Sequence, residues 1–261
     1  MNPALRTAAT GMAAQQTRTE VIANNLANVN TTAFKRSRAQ FEDLLYQTMQ
    51  GPSVLGGPDT STAPSVQVGR GTRLAAVQRL QSQGPLEETQ RSLDVAIDGE
   101  GFFQVQLPNG NTAYTRDGSF QISDQGVLVT SDGYQVGNGI KVPSDVADIG
   151  ISPTGIVTAT NTGGQSVEIG RIELARFVNP SGLTALGQNL YSETPASGEA
   201  TVGYPQDDGI GRLIQGHLEG SNVEIVQEMV DMISAQRAYE LNSKAVKTAE
   251  DMSDVATQMV R

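Results

Sequence analysis

Residues 23–31 read Ala23-Asn24-Asn25-Leu26-Ala27-Asn28-Val29-Asn30-Thr31, and Phe34-Lys35 follow three residues later. Four asparagines in seven positions is an unfavourable choice for a helix, because the short amide competes for backbone hydrogen bonds. Fraying at a helix end accounts for Asn28 and Asn30. It does not account for Asn24 and Asn25. Along a packed helix, such amides can bond across to a neighbour and fix register, as a buried asparagine does in a coiled coil.

Upstream, residues 3–30 carry a narrow stripe of apolar or small residues. One seven-residue series is Leu5, Met12, Thr19 and Leu26; the other is Ala8, Gln15, Ile22 and Val29. The interleaved 3-4 spacing predicts a helix with a coiled-coil seam. Thr19, Gln15 and Gly11 weaken it, so the helix is marginal in isolation. The far end of the chain, residues 222–260, repeats the pattern more strongly. Ile225, Met232, Tyr239 and Val246 form one series, Met229, Gln236 and Ser243 lie between them, and Met252, Ala256 and Met259 continue the stripe. Ser221 and Asn222 are N-cap candidates, with Glu224 in the first turn. Glu240 and Lys244 stand four apart in the favourable order. Periodicity alone leaves two arrangements open: the end helices pair with each other, or each lies on a globular core.

Between the ends the texture changes twice. Residues 51–70 hold 12 Gly, Pro, Ser or Thr in 20 and no aromatic, a linker-like composition in a loop long enough to be functional. From 74 to 214 the pattern is β. Alternation shows at Val95-x-Ile97, Phe103-x-Val105-x-Leu107, Phe120-x-Ile122, Val127-x-Val129 and Ile172-x-Leu174. Asn109-Gly110, Asp117-Gly118, Gln125-Gly126, Asp132-Gly133 and Asn138-Gly139 punctuate it as turns.

Composition removes most chemistry. The chain of 261 residues has no cysteine and a single histidine, His217. Disulfides, thiol nucleophiles, cysteine-containing zinc sites and multi-histidine centres are therefore excluded. A formal charge of −10 at pH 7 argues against nucleic acid or an anionic membrane as partner. No run reaches the roughly 18 apolar residues of a membrane span, and the start has no apolar run of signal-peptide length. His217 lacks a Gly-x-Ser-x-Gly elbow to serve. Asp98 with Glu100, and Asp207 with Asp208, sit in Gly-rich turns where Asp serves backbone geometry. Gly69-x-Gly71 lacks the rest of a dinucleotide fingerprint. Lys35, Arg36 and Arg38, followed by Glu42 and Asp43, read as a solvated or interface-facing charge pattern. No catalytic, cofactor or metal residues are expected.

Residues 23–31 with Phe34-Lys35 resemble the N-terminal signature of the bacterial flagellar rod and hook family. Ser221-Asn222-Val223, Glu228-Met229-Val230-Asp231-Met232-Ile233 and Gln236-Arg237-Ala238-Tyr239-Glu240 are similar to that family's second signature. Phe41 to Thr48, Asp94 to Ile97, Gly101 to Val105 and Tyr114 to Phe120 carry the resemblance across the chain. Ala33 stands where the family usually has Gly, which tolerates φ > 0.

The resemblance implies an α+β fold in which the N- and C-terminal helices pair as a coiled coil around a central all-β domain and an extended arm. Domains are expected at 1–35 with 218–261, at 36–73 (connector, with the arm at 51–70) and at 74–217. It implies a non-enzymatic subunit of the flagellar distal rod that polymerises helically into a rigid hollow drive shaft. Such a subunit crosses the periplasm after signal-less type III export. Implied partners are further copies, proximal rod proteins, the hook protein, the P and L ring proteins, the rod cap and the export apparatus. Assembly contacts are expected from Leu5, Met12, Ile22, Asn24, Asn25, Leu26, Asn28, Val29, Phe34 and Lys35. At the other end they are expected from Asn222, Val223, Ile225, Met229, Met232, Ile233, Gln236, Arg237, Tyr239 and Val246. The alternatives are a proximal rod or hook subunit, a flagellum-associated cell-wall hydrolase acting through Asp98 or Asp207, and an adhesin-like β module.

Overall fold

The computed structural model describes residues 3–50, 65–143, 146–161, 163–207 and 209–259. The chain forms two compact units: 1–27 with 37–79 and 224–261, here the helical unit, and 28–36 with 80–223, the β unit. The expected connector at 36–73 is thus no separate body. Its strands belong with the helices, while 28–36 and 218–223 fold into the β unit.

In the helical unit, α1 spans Pro3–Ala27, and a second helix, α2, spans Ile225–Met259. Two ribbons complete it: β1 (Ser37–Asp43) pairs with β4 (Thr72–Arg79), and β2 (Gln47–Gln50) with β3 (Val66–Val68), all antiparallel. Most of the proposed arm, 51–64, lies outside the described residues; its far end supplies β3. Helix α1 stops earlier than expected because Asn28–Asn30 turn the chain, with Thr31 N–H donating to the Asn28 carbonyl at 3.2 Å. Ser221 and Asn222 do not cap α2. The first helical bond runs from Glu228 N–H to the Glu224 carbonyl at 3.0 Å, which puts Glu224 at the cap position.

The helices run antiparallel against each other: Asn25 faces Glu228, Arg18 faces Asp231 and Gly11 faces Asn242. Their shared core is thin. Its fully buried side chains are small or polar, Ala14, Asn25, Glu228, Ala235 and Ala249, with Ile22 the sole large aliphatic among the described residues. A methyl buries little surface, and hydrophobic stabilisation follows buried area, so this pair gains less from apolar burial than its sequence makes available.

Gly71 holds the ribbon against α1. Its φ is +112°, and a Cβ there would lie 2.1 Å from Thr10 Oγ1. Gly71→Ala is expected to lower the stability of the helical unit by about 2 kcal/mol, from left-handed backbone cost plus the steric conflict, read as a lower urea midpoint.

The β unit contains β5 (Leu86–Glu88), β6 (Val95–Asp98), β7 (Phe102–Gln106), β8 (Thr112–Thr115), β9 (Gln121–Ile122), β10 (Leu128–Val129), β11 (Gln135–Val136) and β12 (Val146–Ile151). It continues with β13 (Ile156–Asn161), β14 (Ser166–Arg171), β15 (Leu174–Arg176), β16 (Thr184–Gly187), β17 (Leu190–Ser192), β18 (Thr201–Gly203), β19 (Arg212–Gln215) and β20 (His217–Glu219). The main sheet runs β16-β17-β8-β7-β11-β10-β9, with β15 and β18 branching from β7. A three-stranded sheet, β12-β13-β14, and the pairs β19-β6 and β20-β5 complete the unit.

Phe102 and Phe103 show how the alternation is used. Successive strand residues point to opposite faces. Phe103 joins Val95, Ile97, Val105, Phe120, Leu174 and Leu213 in the larger core, edge-on to Phe120 at 5.0 Å. Phe102 enters a smaller cluster with Tyr114, Phe177, Leu183 and Tyr191. Tyr114 packs edge-on to Phe177 at 4.8 Å and donates its hydroxyl to Glu193 at 3.4 Å. Burial, and then the Glu193 carboxylate, push its phenol up to about 12. Because the folded value exceeds the ordinary one near 10, the stabilisation is complete below pH 10 and disappears as pH rises from 10 to 12. Urea titrations at pH 9 and pH 11.5 should differ less for Tyr114→Phe than for the unaltered chain.

Candidate assembly surface

The surface is built from the two signature segments. Asn25, fully buried, acts like one more residue of a strand: its amide donates to the Ser37 carbonyl at 2.9 Å and accepts from Ser37 N–H at 2.8 Å. The same Nδ2 donates to Glu228 at 3.1 Å. One side chain thus ties α1, β1 and α2 together. These bonds fix the register of α1 against β1 and α2 within the chain. Asn24, by contrast, is exposed.

On α2 the face turned toward α1 includes Glu228, Ala235, Asn242 and Ala249, seven residues apart. The expected seam does not coincide with it. Ile225, Met229, Ile233 and Tyr239 are exposed, while Met232 and Val246 are half-buried. The reason is steric. Where Gly11 meets α2, a Cβ would lie only 2.8 Å from the Asn242 amide, and small residues on the facing turns permit that approach. The large apolar side chains are left on another flank, where Ile225, Val226, Met229, Val230 and Ile233 lie together at helical spacings of one, three and four. Gln236 and Arg237 continue this exposed flank. Val226 is 71% exposed and Ile233 48%. A contiguous apolar flank of this kind marks an interaction surface. Beside it a groove of about 450 Å³ between the helices is lined by Gln16, Thr19, Glu20, Ala23, Gln236, Tyr239 and Glu240.

Several signature residues are used internally instead. Lys35 is fully buried in the β unit, paired with Glu219 at 2.5 Å. That corrects its expected place on a subunit-facing surface, since an unpaired lysine could not be buried but one with a carboxylate partner can. Ile22 and Val223 are buried as well, and Leu5, Met12, Leu26, Asn28, Val29 and Phe34 are half-buried. Asn222 laces the β unit's connecting segments: it accepts from Arg36 N–H at 2.7 Å and donates to the carbonyls of Leu80 and Ser82 at 2.9 and 3.0 Å. Ala33 takes φ +56° while 1% exposed, so the left-handed turn persists without glycine.

The suspected chemical groups are otherwise engaged. His217 on β20 donates through Nδ1 to the Gln215 carbonyl at 3.0 Å. Asp98 pairs with Arg212 at 2.9 Å and Glu100 with Arg176 at 3.0 Å. Asp207 accepts from Tyr204 N–H at 3.3 Å; Asp208 lies outside the described residues.

Three family models match: "Flagella basal body rod protein" at 5–35, "Flagellar hook protein FlgE/F/G D1 domain" at 96–159 and "Flagellar basal body rod FlgEFG protein C-terminal" at 214–259. The flagellar basal-body rod protein FlgG of Borreliella burgdorferi is 50% identical, with both chains covered completely. The chain belongs to the FlgG family of flagellar basal-body rod proteins. The Caulobacter vibrioides FlgG is 48% identical over 98% of each chain, and that of Bacillus subtilis 40% over 93% of each. The FlgG family is structural, not enzymatic, and its place is the flagellar basal body. As a FlgG-family subunit the chain is one that self-polymerises there.

Proposed function

We propose that this chain builds the distal rod, polymerising helically into the rigid hollow shaft that transmits motor torque to the hook. The observation that carries the reading is the exposed apolar flank Ile225–Ile233 on α2 in a full-length relative of FlgG proteins. A subunit whose helices bury mainly alanines against each other while exposing five large aliphatic or thioether side chains gains its missing burial from neighbours. Within the shaft, the end helices form a coiled-coil inner tube around the export channel, and the β unit faces outward. Subunits joined head-to-tail by heterologous contacts give an open helix when the rotation does not close. The remaining partners are proximal rod proteins, the hook protein, the P and L ring proteins, the rod cap and the export apparatus. The rod crosses the periplasm.

The arm, residues 51–70, lies in this reading on adjacent subunits and stiffens the shaft. Deleting it should leave rods that assemble but bend more, seen as a shorter persistence length in electron micrographs. Unchanged stiffness would remove the arm from the account.

A further inference from the structure

The β unit hides a charged cluster that the assembly surface does not use. Lys35 Nζ, with no exposed side-chain surface, donates to Glu219 Oε1 at 2.5 Å and to the Ser82 carbonyl at 2.8 Å. Arg116, 6% exposed, reaches Glu219 Oε2 at 3.1 Å and the Gly99 carbonyl at 2.7 Å, and lies over the Phe102 ring. Glu219 Oε1 also accepts from Gly84 N–H at 2.8 Å, and the Glu219 carbonyl accepts from Ala33 N–H at 2.7 Å. Two buried cations therefore share one carboxylate, which stands 184 residues after the first and 103 after the second. Enclosing either cation without that carboxylate carries a desolvation penalty of several kcal/mol, and enclosing both adds their mutual repulsion. Burial lowers the Lys35 pKa, against the opposing pull of Glu219.

We propose that Glu219 is a completion clasp: the β unit cannot close until this residue arrives. Nearly all of its strands precede residue 219, yet among the described residues no other carboxylate pairs with Lys35 or Arg116. A chain made or delivered N-terminus first would hold these strands in an open state. It would close them only as Glu219, just ahead of α2 and its apolar flank, becomes available. The exposed flank and the finished β unit then appear together, whatever the chain assembles into.

The test is refolding of the full-length chain from urea after a brief unfolding pulse that preserves native proline isomers, followed by pulsed hydrogen exchange. Amides of β6, β7 and β8 are expected to gain full protection in the same kinetic phase as Ala33 and Gly84, whose acceptors are on Glu219. In the charge-free triple variant Lys35→Met, Arg116→Met, Glu219→Met, protection of β6–β8 should precede the phase in which Ala33 becomes protected. Glu219→Gln alone should raise the unfolding equilibrium constant of the β unit roughly 100-fold or more. Protection of β6–β8 in an earlier phase in the unaltered chain, or a Glu219→Gln effect below about threefold, would overturn the proposal.

Discussion

Ile233→Asp should stop the purified chain from polymerising while leaving the monomer folded. Ile233 is 48% exposed, on the α2 flank turned away from the residues that meet α1. In the monomer the new carboxylate points to water and its effect on stability should stay within about 0.5 kcal/mol, as for other surface changes. In a polymer it would enter an apolar contact. Losing part of an isoleucine's burial is worth about 1 kcal/mol, and placing an unpaired carboxylate there adds a few more. A total of about 4 kcal/mol corresponds to roughly a 1,000-fold rise in critical concentration. Sedimentation across a concentration series reads this directly. Val226→Asp, on the same flank, should behave alike, whereas Ile122→Asp, exposed on β9 of the β unit, should polymerise normally.

Asn25→Leu is expected to be the most damaging single change in the helical unit. The substitution keeps the size of the side chain and removes its amide. Ser37 N–H and C=O lose their partners, and the Glu228 carboxylate loses a donor in a site where Asn25 is 1% exposed. Orphaned buried polar groups each cost roughly 1–3 kcal/mol, so a loss of about 4 kcal/mol follows. Urea unfolding should show it, and Asn24→Leu, at an exposed position, should show little change. Equal effects for the two would contradict the clamp.

The contrast between those two neighbours bears on what the sequence discloses. The misfit of asparagine in a helix was legible, and so was the conclusion that it bonds across to something. The partner was not, because Ser37 supplies backbone groups that carry no residue-type signal. The β unit was readable for the opposite reason: period-two alternation and Asn-Gly or Asp-Gly turns are local, and Phe102 and Phe103 follow them residue by residue. On α2 the heptad stripe is legible, but within the chain the residues that meet α1 are the small and polar ones, not the large apolar ones. Periodicity identifies a buried face only if the largest side chains are the ones buried within the chain. Here Gly11, Ala14, Ala235 and Asn242 make the close internal approach, and the large residues stay outside.

Lys35 is the clearest case of information that sequence could not hold. Beside Arg36 and Arg38 it looks like part of a solvated basic cluster, and only the fold brings Glu219 to it across 184 residues. Gly71 is a related case: its constraint is Thr10 on α1, 61 residues away in sequence, and no local motif announces it.

Electron cryomicroscopy of the helical polymer formed by the purified chain tests the central claim most directly. The account predicts a tube in which Ile225, Met229 and Ile233 of each copy are buried against a neighbouring subunit, with the end helices inside and the β unit outside. A polymer in which that flank faces solvent or the lumen, or held together by the β units alone, would contradict it.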